Sequence, residues 1–143
     1  KCGLAALGEC DLVAVHDGVR ALVTKRLIIR AALAIEENDA VIPVIEVVDS
    51  YRRVEQGGST ILPRSELRIV QTPQIFKSSI LRKAYTQEFD QAFTDDASVV
   101  EAMGEGVHLC AGERSNLKIT TPEDLILARA LLAAEEEKTE QEA

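Results

Sequence analysis

An acid and an arginine directly follow a short apolar segment near the start of the chain. Leu12–Val15 is rich in valine, and the sequence turns polar at once from His16 to Arg20. An apolar run bounded by turn residues is typical of a strand covered on both faces, as in a parallel sheet. Ligands of open α/β sheets bind beyond the carboxyl ends of such strands. We therefore expect Asp17 and Arg20 to contact an anionic substrate, with a local turn held by Asp17 as the alternative.

Two further cations are candidates for binding an anion. In the segment Asn116–Thr120, strand alternation would place Lys118 on the face opposite its apolar neighbours. Arg64 lies among several arginines, although the chain as a whole has a formal net charge of −8. We expect this basic segment to reach a phosphate across an interface. The alternatives are a lysine that extends into water from a strand edge and arginines that serve only solubility.

Composition excludes several classes of protein. The 143 residues, with 46% hydrophobic and 28% charged residues, predict one globular domain over residues 1–143. The acidic balance argues against nonspecific nucleic-acid binding, and no apolar run is long enough for a membrane span. The cysteines form no CxxC pair and are odd in number, which is typical of free thiols in a reducing cytosol. They are Cys2, Cys10 and Cys110.

The histidines and the paired acids give no metal site. His16 and His108 have no cysteine or histidine partners at ligand spacing. Asp95 and Asp96 resemble a metal pair, but their place at a predicted helix start makes capping the better explanation. The sequence therefore predicts no protein metal ligand.

The elements that must position these residues begin with a βαβ unit. A helix is predicted over Lys25–Glu37, with Thr24 as its N-cap, followed by a strand over Ala40–Val48. Pro43 within that strand predicts an edge position or a local irregularity. The connection between the two strands is expected to be right-handed.

The segment Asp49–Arg68 has a different character. Alternating residues on both sides of Gly57 and Gly58 predict a hairpin with much polar surface and no helix to cover it. A two-stranded arm is marginal alone in water, so we expect it to pack on a second subunit. A long surface loop is the alternative.

The remainder of the chain returns to the core. Ile69–Phe76 is expected to be extended because of Pro73. The other predicted elements are helices over Ser78–Phe89 and Thr94–Met103, the latter capped by Thr94, short strands over Val107–Ala111 and Leu117–Ile119, and a long helix from Thr121 whose apolar side is Leu125, Leu127, Ala128, Leu131 and Leu132.

Five segments, in order along the chain, resemble the 2-C-methyl-D-erythritol 4-phosphate cytidylyltransferases of the non-mevalonate isoprenoid pathway. They are Val15–Arg20, Ile42–Val54, Pro63–Phe76, Thr94–Glu101 and Asn116–Leu125. The resemblance implies an α/β fold, namely a Rossmann-like nucleotidyltransferase sheet flanked by helices with a projecting β-arm. It also implies a cytoplasmic homodimer whose arms, residues 49–68, embrace.

The resemblance further implies a reaction and roles for individual residues. The enzyme would join a sugar-alcohol phosphate to CTP, with release of pyrophosphate and with Mg²⁺ held mainly by the CTP phosphates. Lys118 and Arg64 would position the substrate phosphate, Arg64 coming from the partner subunit. Asp17 would hold substrate hydroxyls, with Arg20 nearby, and further hydrogen bonds would come from Ser50, Thr72 and Thr94.

One part of the family pattern has no counterpart in this sequence. The family carries a glycine-rich N-terminal loop with basic residues that grips the CTP triphosphate. We expect the chain, which begins at Lys1, to be the later two-thirds of such an enzyme and to be inactive alone. The alternatives are a related enzyme that makes CDP-ribitol, and a non-catalytic module that dimerises through its arm.

Overall fold

The computed structural model describes residues 1–141, with side chains described through Glu137. The elements are α1 (Cys2–Ala6), β1 (Leu12–Val15), α2 (Lys25–Ala34), β2 (Ala40–Glu46), β3 (Tyr51–Glu55), β4 (Gly58–Leu62), a 3₁₀ turn (Arg64–Glu66), β5 (Arg68–Val70), β6 (Gln74–Lys77), α3 (Ser78–Ala84), α4 (Asp96–Glu101), β7 (His108–Ala111) and α5 (Pro122–Gln141). Helices flank a central sheet, as the α/β prediction requires, although β2 to β6 follow one another with no α-helix between them.

The main sheet is mixed, and this corrects the expectation of a parallel sheet around β1. β6 lies between β1 and β2 and is antiparallel to both, so β1 and β2 run in the same direction. β7 pairs with β2 in parallel. In β1 only Val13 is buried, while Leu12 is 44% exposed. The strand is therefore covered on one face only, and it lies at an edge of the sheet because its one described neighbour is β6.

Pro43 lies inside the sheet, so the expectation of an edge position was wrong. β6 pairs with Ala40 and Val41, and β5 pairs with Val44–Glu46, while β7 occupies the opposite edge of β2. Pro43 falls in the gap between β6 and β5, where its carbonyl accepts from the backbone N–H of Gln71 at 2.8 Å. The missing N–H of the proline faces this gap and so interrupts no ladder.

The predicted hairpin forms as a separate two-stranded sheet. β3 and β4 pair in antiparallel register from Tyr51 opposite Leu62 to Glu55 opposite Gly58. The turn contains Gly57 at φ 84°, a conformation that favours glycine. Every residue of β3 is exposed, including Val54 at 84%. Within the described residues the arm has no core of its own.

The helix starts follow capping chemistry, with one correction. The Thr24 hydroxyl accepts from the Leu27 N–H at 3.0 Å at the start of α2, as predicted. The cap of α4 is Asp95 rather than Thr94, because the Asp95 carboxylate accepts from the Ser98 N–H at 2.8 Å. The Ser98 hydroxyl completes a capping box with the Asp95 backbone.

Three helices are shorter than predicted. α2 ends at Ala34, α3 ends at Ala84, and α4 extends only to Glu101. Beyond each end the chain continues in turns that the apolar spacing alone did not reveal.

The segment after β7 is not a strand, contrary to prediction. Residues 117–120 are irregular, held by a bond from the Ile119 N–H to the Val19 carbonyl at 2.9 Å. Asn116 is fully buried, whereas the Lys118 side chain is 49% exposed. The two residues therefore do not share a face as strand alternation required.

The expected apolar side of α5 is also corrected. Of its apolar residues with described side chains, Ala128 is buried at 6% exposure, whereas Leu127 is 58% exposed. Three consecutive apolar residues at 125–127 point in directions about 100° apart around the helix, so one packing face cannot cover them all.

The core lies on the two faces of the main sheet. One cluster joins β1, β2, β6, α3 and α4 around Phe76 and Leu81, and the other joins α2 to the opposite face around Val41 and Ile75. Within the described part of the chain, no helix combines the length and the apolar character needed to cross a bilayer.

Candidate active site

A cavity of about 290 Å³ opens at the carboxyl ends of β1 and β7. It is lined by side chains from four segments, the end of β1, the β5–β6 connection, the start of α4 and the loop after β7. The lining residues are Val15, Asp17, Arg20, Val70, Gln71, Thr72, Gln74, Thr94, Asp95, Asp96 and Lys118. Five of the seven residues predicted from the sequence lie in this lining, and they come from segments far apart in the chain.

Two cations converge on one carboxylate oxygen at this cavity. Asp17 Oδ2 lies 3.2 Å from Arg20 Nε and 3.3 Å from Lys118 Nζ. The structure thus brings Arg20 and Lys118 together at Asp17, as the roles implied by the family resemblance require. Asp17 lies in the turn just after β1, and Lys118 lies in the loop after β7, a strand parallel to β2.

Arg20 is fixed by the surrounding backbone, whereas Lys118 is not. Arg20 is buried at 8% exposure and donates to the carbonyls of Asn116 at 2.7 Å and Val70 at 3.3 Å. Lys118 is half-exposed and pairs with Asp17. An ammonium on a flexible stem can move toward a ligand at little cost, while a guanidinium bonded on three sides holds its position.

The pKa of Asp17 reflects its two cationic neighbours. Burial acts to raise this pKa, but the hydrogen bonds and charges of Lys118 and Arg20 outweigh it and hold the pKa below its usual value. Asp17 is therefore a carboxylate at neutral pH, able to accept hydrogen bonds but not to donate them.

Thr72 connects the β5–β6 segment to the end of β1. Its hydroxyl accepts from the Asp17 backbone N–H at 2.9 Å and contacts His16 Nδ1 at 2.8 Å. His16 Nε2 in turn lies 3.2 Å from the Arg20 carbonyl oxygen. The turn that carries Asp17 and Arg20 is thus bonded to the neighbouring strand connection through its backbone and through His16.

A buried polar platform beneath the cavity was missed by sequence reasoning. The Gln71 side chain donates to the carbonyls of Glu113 and Asn116 and accepts from the Glu113 N–H. The Asn116 amide donates to the Thr72 carbonyl at 2.8 Å. The signal available was glutamine and asparagine within short apolar segments, since a buried amide requires partners.

Glu113 ties this platform to α2. Its carboxylate accepts from the Thr24 hydroxyl at 2.7 Å and from Arg26 at 3.0 Å, with Arg30 at 3.3 Å. Burial acts to raise the pKa of Glu113, but these donors and charges hold it below its usual value. The loop that carries Asn116 and Lys118 is therefore anchored to the helix that follows β1.

The opposite wall of the cavity is acidic. The Gln74 side chain donates to Asp95 at 2.8 Å and accepts from the Ala97 N–H at 3.1 Å. Asp96 accepts from the Tyr85 hydroxyl at 2.6 Å. Burial, followed by the bond to Asp96, raises the pKa of Tyr85 far above its usual value, so Tyr85 remains a donor. Gln74 was also missed by sequence reasoning.

Two predicted residues lie outside the lining. Ser50 is exposed after β2, and Arg64 is exposed in the 3₁₀ turn, where it donates to the Val48 carbonyl at 3.1 Å. Thr94 is exposed at the cavity edge, and its backbone N–H donates to the Ser98 hydroxyl.

The described side chains do not form a metal cage. Among the side chains described through Glu137, no three histidines, cysteines, aspartates or glutamates converge as a metal site. The cavity itself carries three carboxylates, Asp17, Asp95 and Asp96, and two cations. One chain therefore supplies no excess positive charge for an anion.

A family model and two curated relatives similar to this chain carry the same description. A family model for 2-C-methyl-D-erythritol 4-phosphate cytidylyltransferase matches residues 1–134. A relative of that name from Bacteroides thetaiotaomicron is 52% identical over 132 residues, covering 92% of this chain and 60% of the relative. One from Rubrobacter xylanophilus is 46% identical over 143 residues, covering 95% and 62%. The chain thus spans about three-fifths of the length of these relatives.

Solved structures show the same fold. The crystal structure of 2-C-methyl-D-erythritol 4-phosphate cytidylyltransferase from Thermus thermophilus matches with a TM-score of 0.79 at 37% identity, covering 92% of this chain and 66% of that chain. The structure of 4-diphosphocytidyl-2C-methyl-D-erythritol synthase from Anaerococcus prevotii matches with a TM-score of 0.82 at 34% identity, covering 92% and 63%.

Proposed function

The chain belongs to the 2-C-methyl-D-erythritol 4-phosphate cytidylyltransferase family, and on that basis we propose that the protein transfers a cytidylyl group from CTP to 2-C-methyl-D-erythritol 4-phosphate, with release of pyrophosphate. The observation that carries the proposal is the convergence of Arg20 and Lys118 on Asp17 beside a cavity at the sheet rim. This convergence supports binding of the sugar-alcohol phosphate beside Asp17, because it brings positive charge to the cavity.

The chemistry needs charge compensation more than a strong base. The attacking group is a phosphate oxygen that is already anionic at neutral pH, and it must approach another phosphate. Two unit charges 4 Å apart repel by about 4 kcal/mol at an effective dielectric constant of 20. Donors fixed before the reaction stabilise the charge that develops in the transition state.

Lys118 and Asp17 would bind different groups of the substrate. The half-exposed Lys118 would turn from Asp17 toward the substrate phosphate, as its flexible stem permits. Asp17, held as a carboxylate, would accept hydrogen bonds from the substrate hydroxyls. Arg20 would keep Asp17 in place, since its other donors are bonded to Asn116 and Val70.

A second subunit and Mg²⁺ complete the proposed site. The cavity in one chain has more acids than bases, so further positive charge is needed. We propose that Arg64 supplies this charge from the arm of a second copy. We also propose that Mg²⁺ is held chiefly by the CTP phosphates, which suit a hard cation with few protein ligands.

The free cysteines are compatible with a cytoplasmic location.

An assay of pyrophosphate release with the complete protein tests the activity. We expect release to require both CTP and methylerythritol phosphate, with ribitol phosphate a poor substitute. Lys118→Ala should lower kcat/KM about 100-fold, the size expected for loss of one charged donor. Lys25→Ala is the matched control, since Lys25 is exposed at the start of α2 and lies outside the cavity. Equal activity of Lys118→Ala and wild type would refute the site.

Mixed dimers test the contribution of the second subunit. Arg64→Ala and Lys118→Ala proteins should each be impaired. If Arg64 acts in the partner's site, a heterodimer of the two variants contains one site with both residues intact. Activity should then recover to a substantial part of one wild-type site, and absence of recovery in isolated heterodimers would exclude action across the interface.

A further inference from the structure

The proton positions around Thr72 follow from the identity of its neighbours. His16 Nε2 lies 3.2 Å from the Arg20 carbonyl oxygen, which can only accept a hydrogen bond. Nε2 must therefore carry the proton. In neutral imidazole the other nitrogen then has a free lone pair, so His16 Nδ1 is an acceptor.

The hydroxyl of Thr72 must supply the proton to that acceptor. Thr72 Oγ1 lies 2.8 Å from His16 Nδ1, and the only proton available between these atoms is that of the hydroxyl. The same oxygen accepts from the Asp17 backbone N–H at 2.9 Å. A hydroxyl has one donor and two acceptor sites, so one lone pair of Thr72 remains for the cavity that it lines.

We propose that His16 is a positioning residue that fixes the Thr72 hydroxyl as an acceptor toward the cavity, so that Thr72 binds a hydroxyl of the sugar-alcohol substrate and not its phosphate. This inference rests on the proposed function and deepens it. His16 does not line the cavity itself and acts from behind Thr72. A phosphate dianion offers only acceptors and gains nothing from a second acceptor.

Acceptors and a cation lie at different atoms around Asp17 in this cavity. Thr72 and the Asp17 carboxylate both accept hydrogen bonds, and they are joined through the Asp17 N–H. Lys118 contacts the Asp17 carboxylate oxygen Oδ2 and not its backbone N–H. The substrate would therefore bind with its hydroxyls toward Thr72 and its phosphate toward Lys118, which determines the orientation of the molecule.

His16→Gln in the complete protein is the primary test. The glutamine amide can still donate to the Arg20 carbonyl, but no acceptor remains beside Thr72, whose hydroxyl is then free to rotate. We expect the KM for methylerythritol phosphate to rise about fivefold, the value of one neutral hydrogen bond, with kcat and the KM for CTP unchanged. An unchanged KM for the sugar phosphate would overturn the proposal.

Two matched variants separate positioning from folding. In His16→Asn the amide oxygen can replace Nδ1, so we expect the KM to return to within twofold of wild type. His108→Gln, at the start of β7 and outside the cavity, should change neither KM. If His16→Asn is as impaired as His16→Gln, the acceptor beside Thr72 is not what matters, and the proposal fails.

A double-mutant cycle tests the route through Thr72. In a Thr72→Val background, His16→Gln should raise the KM by less than twofold, because the hydroxyl on which it acts is absent. The same fivefold rise in both backgrounds would show that His16 acts independently of Thr72 and would overturn the inference.

A readout without turnover keeps this inference distinct from the proposed function. In ¹⁵N NMR spectra of the complete protein, the His16 signals are those lost in His16→Gln, and we expect the tautomer with the proton on Nε2. A proton on Nδ1 would overturn the positioning role even in an active enzyme. Absence of cytidylyl transfer by wild type, with the Nε2 tautomer present, would instead refute the proposed function.

Discussion

The segment around Arg20 and the hairpin arm both contain arginines that donate to backbone carbonyls, but Arg20 is buried whereas the arginines of the arm are exposed. Arg20 is 8% exposed and joins three segments, through Asp17, Val70 and Asn116. Arg52 in β3 bonds to the Ser59 hydroxyl at 2.7 Å and to its carbonyl at 2.9 Å, entirely within the exposed hairpin. The first arginine holds distant segments together, whereas the second only supports a local pairing.

The difference teaches which parts of the site this chain can form alone. Contacts within the chain fix Asp17, Thr72 and Arg20 around the cavity. The described strands of the arm, β3 and β4, pair with each other and with no strand of the main sheet. Arg52 and Arg64 are exposed and bond only to nearby segments of the same chain among the described residues, so their charges are accessible to another surface, which is why we propose a second copy there.

The largest expected effect is on the free energy of unfolding, and it distinguishes loss of the Arg20 guanidinium from loss of the Arg52 guanidinium. Arg20→Met should lower the free energy of unfolding by about 3 kcal/mol, because two carbonyls and the Asp17 carboxylate lose their donor in a buried position. Arg52→Met should cost less than about 0.5 kcal/mol, since water replaces the lost bonds. Urea unfolding at neutral pH measures both. Similar losses for the two variants would remove the distinction drawn between the regions.

Gly112 beside the buried Gln71 and Gly58 in the hairpin allow the packing of the two regions to be compared by adding one methyl group at each position. A Cβ at Gly112 would lie 2.5 Å from Gln71 Oε1 and 3.0 Å from the Val44 carbonyl oxygen, whereas one at Gly58 would meet nothing within 4 Å. Gln71 cannot move aside cheaply, because it is buried and bonded to Glu113.

Gly112→Ala should therefore destabilise the protein by about 2 kcal/mol, as overpacking does. Gly58→Ala should change the stability by less than about 0.5 kcal/mol. Thermal and urea unfolding of the two variants measure the difference. A neutral Gly112→Ala would mean that the platform under the cavity is looser than its hydrogen bonds indicate.

The smallest expected effect is a pH dependence of the free energy of unfolding that arises from Asp17, which pairs with Arg20. The pKa of Asp17 is lower in the folded state than its unfolded value of about 3.9. Its contribution is therefore complete above that value and is lost as the pH falls through the folded pKa. Compared with Asp17→Asn, wild type should lose more stability between about pH 5 and pH 2. Parallel curves for the two proteins would show that Asp17 is not held by its cations.

Local patterns predicted much of this molecule. The strand Leu12–Val15 forms with those bounds, the hairpin turns at Gly57, and Thr24 caps α2. These features depend on neighbours in the sequence, so they can be recognised there. The approach of Lys118 to Asp17 and Arg20 was expected only from the family resemblance, which implied that all three contact one substrate.

Features that depend on distant contacts were not predictable in this way. Pro43 is tolerated in a central strand only because the two partners of β2 leave a gap beside it. Gln71 and Asn116 look like ordinary polar residues until the fold buries them against Glu113 and Arg20. For Lys118, alternation failed because the loop after β7 is shaped by these amide bonds and not by strand pairing.

The change of partner along β2 has a consequence for how the cavity originates. Along β2, pairing with β6 stops at Val41 and pairing with β5 starts at Val44. Between β5 and β6 the chain leaves the sheet through Gln71, Thr72 and Pro73. Gln71 and Thr72 form the cavity floor. The recess thus begins as a break in strand pairing, which the segments after β1 and β7 and the start of α4 complete. A sequence that allowed the two short strands to fuse into one would gain ladder bonds and lose the floor of the cavity.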